Sequence, residues 1–99
     1  MFTYIRTNSM APGKWAQAMT FAHDVARHMN ALLGVDVEVS VPIGGDPNQV
    51  AWTVRYESLA AMQAASDKLM SDAKYREMMV RAADCFMPAA GRDALWRRV

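Results

Sequence analysis

A single cysteine, Cys85, occurs among the 99 residues, so no disulfide can close within the chain. Long apolar runs are also missing, and none approaches the roughly 18–20 residues that span a bilayer. The opening Met1-Phe2-Thr3-Tyr4 lacks the basic stretch and apolar run of a secretory leader, which makes the cytoplasm the expected compartment. An excess of charge of one sign is absent too. Lys and Arg number 11 against 10 Asp and Glu, a formal net charge of +1. That balance gives no long-range attraction to nucleic acid or to an anionic membrane, and neither is expected as a partner. No Gly-rich loop is placed to cradle a phosphate, because Gly44-Gly45 falls in a turn cluster.

Core-forming residues are plentiful. The chain is 53% hydrophobic and 21% charged, which suits an ordered domain. Its length fits one small domain over residues 1–99. A domain of this size buries a modest share of its unfolded surface, so association that hides one face would stabilise it.

Residues 2–9, Phe-Thr-Tyr-Ile-Arg-Thr-Asn-Ser, are rich in aromatic and β-branched types and predict a strand. Met10-Ala-Pro-Gly13 breaks it, with Pro12 expected near the first helical position. From Lys14 to Leu33, apolar residues from Trp15 to Leu33 recur at steps of three and four, one face of a helix. Gly34 suits its C-cap. Val35 to Val41 alternates strictly between valine and polar residues, which predicts a strand. Pro42–Asn48 is a turn cluster, and Val50–Glu57 is the returning strand of a hairpin.

Ser58 is the expected N-cap of a second helix beginning at Leu59, with Leu59, Met62, Leu69 and Met70 as its apolar stripe. Ser71-Asp72 interrupts and recaps the chain before a helical stretch over Ala73–Phe86. Asp72/Arg76 and Glu77/Arg81 are paired at i,i+4 on its outer face. Pro88 and Gly91 end it, and Asp93–Val99 reads as a terminal strand. The order β-α-β-β-α-(α)-β predicts a ferredoxin-like α+β fold, a four-stranded antiparallel sheet with helices on one face.

Helices cover only one face of such a sheet. Phe2 and Tyr4 share a face with Arg6 and Asn8, Ile5 lies on the other, and Trp52, Val54 and Tyr56 oppose Ala51, Thr53, Arg55 and Glu57. Large apolar groups on both faces predict a homodimer joined through the sheet.

These features carry a resemblance. The order of elements, Pro12-Gly13 before the first helix and Ser58-Leu59 opening the second are similar to the dimeric α+β-barrel superfamily, and in particular to its small NIPSNAP-like proteins. Ser71-Asp72-Ala73-Lys74-Tyr75-Arg76 resembles their step between two helical segments. Pro88 to Arg98 resembles their closing strand. The resemblance implies a dimer whose two sheets form a barrel, with ligands in the cleft between sheet and helices. The superfamily also holds cofactor-independent monooxygenases of antibiotic biosynthesis, haem-degrading monooxygenases and muconolactone isomerase-like enzymes. Asn8 stands where the haem-degrading members place an asparagine. No His follows His28 and residues 59–86 hold no Trp, so their pattern is not met and no cofactor is expected.

Among the residues themselves, His23, Asp24 and His28 form the one cluster suggestive of metal or acid–base work. Five positions on a helix turn His23 and His28 roughly 140° apart, unlike the i,i+4 spacing of helical metal ligands. Both read better as partly solvated residues flanking the apolar stripe, with Asp24 placed to orient His28; no metal site is expected. Arg6, Arg55, Arg97 and Arg98 fall on strands, with Glu38 and Glu57 as candidate partners. Tyr4, Trp52 and Trp96 are candidates to line an aromatic ligand site, with Trp15 and Tyr56 as further aromatics. Arg6 and Asn8 are the candidates to polarise an enolate or phenolate oxygen if the chain is an enzyme. Cys85 on an apolar stripe reads as buried and inert. RNA-binding domains of this topology need glycines beside their third-strand aromatics, and Val50-Ala-Trp-Thr-Val-Arg-Tyr-Glu57 has none. The expected function is binding of a small apolar or aromatic metabolite, with a monooxygenase or isomerase, or a ligand-free structural dimer, as alternatives.

Overall fold

The first eight-residue segment organises the rest of the sheet. In a computed structural model of residues 1–99, strand β1 (Phe2–Ser9) lies between β3 (Gln49–Tyr56) and β4 (Arg92–Arg97), antiparallel to both. The short β2 (Glu38–Ser40) pairs with the outer side of β3, giving the sheet order β2-β3-β1-β4. Three helices cover one side: α1 (Trp15–Leu33), α2 (Leu59–Met70) and α3 (Ala73–Ala82), the last running into a 3₁₀ turn at Ala83–Cys85. This is the ferredoxin-like α+β fold.

Side chains alternate across a sheet, so register decides which residues meet the helices. Tyr4 lies opposite Val54 and Leu95, and Arg6 lies opposite Trp52 and Asp93. With Asn8, Val50 and Val39 these face the helices. Thr3, Ile5, Ala51, Thr53, Ala94 and Trp96 face the other way.

Small residues on α1 let it lie close to the sheet. Ala18, Ala22, Val25 and Ala26 are its buried residues, and they pack with Val50, Trp52 and Val54. The Trp52 indole N–H donates to the carbonyl of Ala22 across this contact at 3.2 Å. Truncating a buried tryptophan to alanine costs about 3–5 kcal/mol in a typical core, which makes Trp52 the chief tie between sheet and helix. Gly34 ends α1 at φ 66°, a left-handed position that suits glycine, and its N–H closes on the carbonyl of Asn30.

Several expectations need correction. Helix α1 begins at Trp15 behind Lys14, so Pro12 lies in the preceding turn, where the Lys14 N–H bonds the Ala11 carbonyl. The valine-alternating strand shortens to Glu38–Ser40, because the Val37 N–H is taken by the Asn30 side chain at 2.8 Å instead of by a neighbouring strand. In α2 only Leu69 is buried, while Leu59 and Met70 are 49% and 55% exposed. Trp15 is exposed as well. The recapping at Asp72 does hold: its carboxylate accepts the Tyr75 N–H at 2.8 Å, as Ser58 accepts the Ala61 N–H at 3.0 Å.

His28 meets a partner 44 residues away. Its Nε2 lies 2.6 Å from Asp72 Oδ2, joining α1 to the start of α3, while Asp24 pairs with Arg27 instead. The His28 contact and the Tyr75 N–H hold the Asp72 carboxyl below the usual carboxylate range. A lowered folded-state value means that this stability is present above the unfolded pKa, near 3.9, and is lost as pH falls through the folded one. Thermal melts followed by circular dichroism should therefore show wild type losing stability below about pH 4, with D72N losing less over that range. D72N keeps a capping oxygen, so D72A should melt lower than D72N at pH 7. Parallel acid limbs for wild type and D72N would show that the contact contributes nothing.

Candidate functional site

Because α1 hugs β3 and α2 stands off the sheet, a cleft of about 720 Å³ opens over β1 and β3. It is lined by 26 residues, 19 of them hydrophobic, so a ligand within it would be held mainly by apolar contact. Five of the chain's nine methionines, Met29, Met62, Met70, Met79 and Met87, belong to the lining. Unbranched thioether side chains adapt to ligand shape at low cost.

The aromatic end of the cleft is built from three elements. Phe21 of α1, Trp52 of β3 and Phe86 after the 3₁₀ turn stand with ring centroids 5.7–6.3 Å apart, in edge-on or tilted contact. The position of Phe86 follows from its backbone, since Met10 and Phe86 form an isolated antiparallel bridge beyond the end of β1.

The polar end lies on the sheet floor. Arg6 Nε and Nη2 donate to the two carboxylate oxygens of Asp93 at 2.7 and 2.9 Å, a bidentate pair across β1 and β4. Arg6 holds the Asp93 carboxyl below its ordinary range, and Asp93 in turn raises the Arg6 guanidinium. Tyr4, on the same face of β1, and Tyr75 of α3 line the cleft beside this pair. Burial pushes the Tyr4 phenol up to about 12, with Asp93 opposing ionisation and Arg6 favouring it. Burial likewise raises Tyr75. Both therefore remain neutral hydroxyls at ordinary pH and can donate to a ligand oxygen. Asn8 bends its Oδ1 back to the Ser9 N–H at 2.9 Å, which leaves its Nδ2 group toward Gly91 and the cleft.

Of the residues anticipated from sequence, Tyr4, Arg6, Asn8 and Trp52 come together in this cleft. Trp96 does not. It pairs with Thr3 on the opposite face of the sheet and is 65% exposed, so its place is on the uncovered surface. Trp15 stands outside as well, whereas Tyr56 is in the lining. His23 is exposed and His28 is engaged with Asp72, so they share no site. Arg55 pairs with Glu38 on the outer face. Cys85 is buried. No three His, Cys, Asp or Glu side chains gather closely enough to hold a metal ion, and no helix is long and apolar enough to cross a membrane. Asp93, Phe21 and Phe86 were not anticipated as site residues. Asp93 is the one acidic residue of the terminal strand, and that was the available signal.

All three tyrosines of the chain, Tyr4, Tyr56 and Tyr75, are raised by burial. Titration followed at 295 nm should show less tyrosinate in the folded protein than in the denatured chain at pH 10, where the denatured chain is about half ionised. Since the unfolded chain ionises first, stability is retained below pH 10 and falls above it. Y4F should remove the highest-pH step. Coincident native and denatured curves would contradict this account of the cleft.

No sequence-family model matches the chain, and no curated protein matches it. Solved structures do. An uncharacterised NIPSNAP domain protein from Burkholderia xenovorans superposes with a TM-score of 0.84 at 14% identity, covering 100% of this chain and 95% of that one. A NIPSNAP family protein of unknown function from Agrobacterium tumefaciens gives 0.83 at 18% identity, covering 99% and 87%. A candidate antibiotic biosynthesis monooxygenase from Nitrosomonas europaea gives 0.76 at 13% identity, covering 100% and 99%. At these identities the likeness establishes architecture: the chain shares the ferredoxin-like α+β fold of NIPSNAP and antibiotic-biosynthesis-monooxygenase-like proteins.

Proposed function

We propose that residues 1–99 form one domain that binds a small apolar or aromatic metabolite in the cleft between sheet and helices, and that works as a homodimer. The observation that carries the binding reading is the cleft itself, about 720 Å³, apolar along most of its wall and equipped with one compact polar end. A filled core would leave no such volume, which weighs against a purely structural dimer. Support for the dimer comes from the uncovered sheet face. Ile5, Ala51, Ala94 and Trp96 project there among threonines, and apolar surface of this kind is stabilised by a second sheet.

A second reading, a cofactor-independent monooxygenase or isomerase, draws on the donors at the polar end. Arg6 Nη1 and Asn8 Nδ2 are both free of protein acceptors and could polarise a ligand oxygen. The likeness to a candidate monooxygenase adds fold-level analogy only. Asp93 offsets the charge of Arg6, which favours binding as the first reading.

Native mass spectrometry of gently purified protein should give a dimer mass with a small-molecule increment. I5E should convert it to a monomer, because the glutamate would be buried without a partner. A65W, placed in the cleft wall, should keep the dimer and lose the increment. A monomeric wild type would sink the dimer. An increment that survives A65W would move the ligand out of the cleft.

A further inference from the structure

The cleft has an electrostatic property that its hydrophobicity conceals. Arg6 and Asp93 are the only charged side chains in its lining. They are bound to each other through both carboxylate oxygens, so the polar end carries no net charge. An arginine alone beside an apolar cleft would attract carboxylates and phosphates. An arginine already held by a bidentate partner keeps spare N–H donors but loses its preference for anions.

We propose that Asp93 is a specificity-determining residue, which by holding Arg6 makes the cleft select uncharged aromatic ligands bearing a hydroxyl or carbonyl oxygen and reject the corresponding carboxylates. The proposal rests on the cleft being a ligand site. Its geometry follows from the sheet. Trp52 and Arg6 are directly opposed across β1 and β3, so their side chains start about 5 Å apart on one face. A ring packed against Trp52, Phe21 and Phe86 therefore places a substituent within reach of Arg6 Nη1. The Tyr4 and Tyr75 hydroxyls are donors beside the same ion pair, Asn8 Nδ2 is a further donor in the lining two residues along β1, and the phenols accept as readily as they donate. A neutral oxygen can take these bonds without a charge to desolvate. A carboxylate brought to the same place meets the Asp93 carboxylate and must give up its water for a guanidinium already in use. Arg97, on the same face of β4, lies outside the lining, and no other basic group faces the polar end.

The test compares two probes that share a ring system, 2-naphthol and 2-naphthoate, by calorimetric titration of the full chain at pH 7. Wild type should bind the naphthol at least about tenfold more tightly. D93N, which keeps the size of the side chain but frees the charge of Arg6, should strengthen naphthoate binding about tenfold and erase the preference. D93E restores the carboxylate and should restore the preference. A role of Asp93 in folding alone would change both affinities together and leave their ratio unmoved. Equal or tighter naphthoate binding by wild type overturns the proposal while leaving the cleft as a ligand site. Failure of wild type to bind either probe removes both readings. If D93N does not fold by circular dichroism, the wild-type ratio and D93E decide alone.

Discussion

The register of β1 against its two neighbours is the constraint on which the helix-facing side depends. With Arg6 opposite Trp52 on one flank and Asp93 on the other, a basic group, an indole and a carboxylate stand in one row across the sheet. A slip of one residue in β1 would turn Tyr4, Arg6 and Asn8 outward and bring Thr3, Ile5 and Thr7 beneath the helices. The cleft would lose its polar end, and Asp93 would face the helix layer without a cation. Two features hold the register. Trp52 is fastened from above by its hydrogen bond to Ala22, and the Met10–Phe86 bridge fixes the chain just past the end of β1.

The division of labour among the helices follows from their side chains. Alanines at 18, 22 and 26 bring α1 down onto β3, where it seals the core. Helix α2 buries only Leu69, so it is anchored less closely than α1. The space beneath it is the cleft.

Much of this was legible in the sequence, and the rest failed for identifiable reasons. The helical period of α1, the caps at Ser58 and Asp72 and the shared face of Tyr4, Arg6 and Asn8 are local patterns, and each is found where the residues indicated. Long-range pairings were not legible. Asp24 is the sequence neighbour that could orient His28, yet Asp72 takes that place from another helix. Trp96 belongs to a short strand of mixed residues whose parity is set only by pairing with β1, and that pairing turns it away from the cleft while bringing Asp93 in. The valine alternation of residues 35–41 is longer than its strand because Asn30 intercepts the Val37 N–H.

Helix α2, held by one buried leucine over a cleft walled with methionines, also has a place in the energetics of the chain. Local opening costs least where few apolar groups are anchored, and β3, flanked by strands on both sides with Val50, Trp52 and Val54 buried, lies at the other extreme. Amide exchange would accordingly rank α2 among the first elements to open and β3 among the last. A cleft roofed by a lightly anchored helix needs no separate door. Under the proposed ligand-binding reading, lifting α2 would admit a ligand, and a ligand seated among the thioethers would supply the missing anchorage and fasten the helix down.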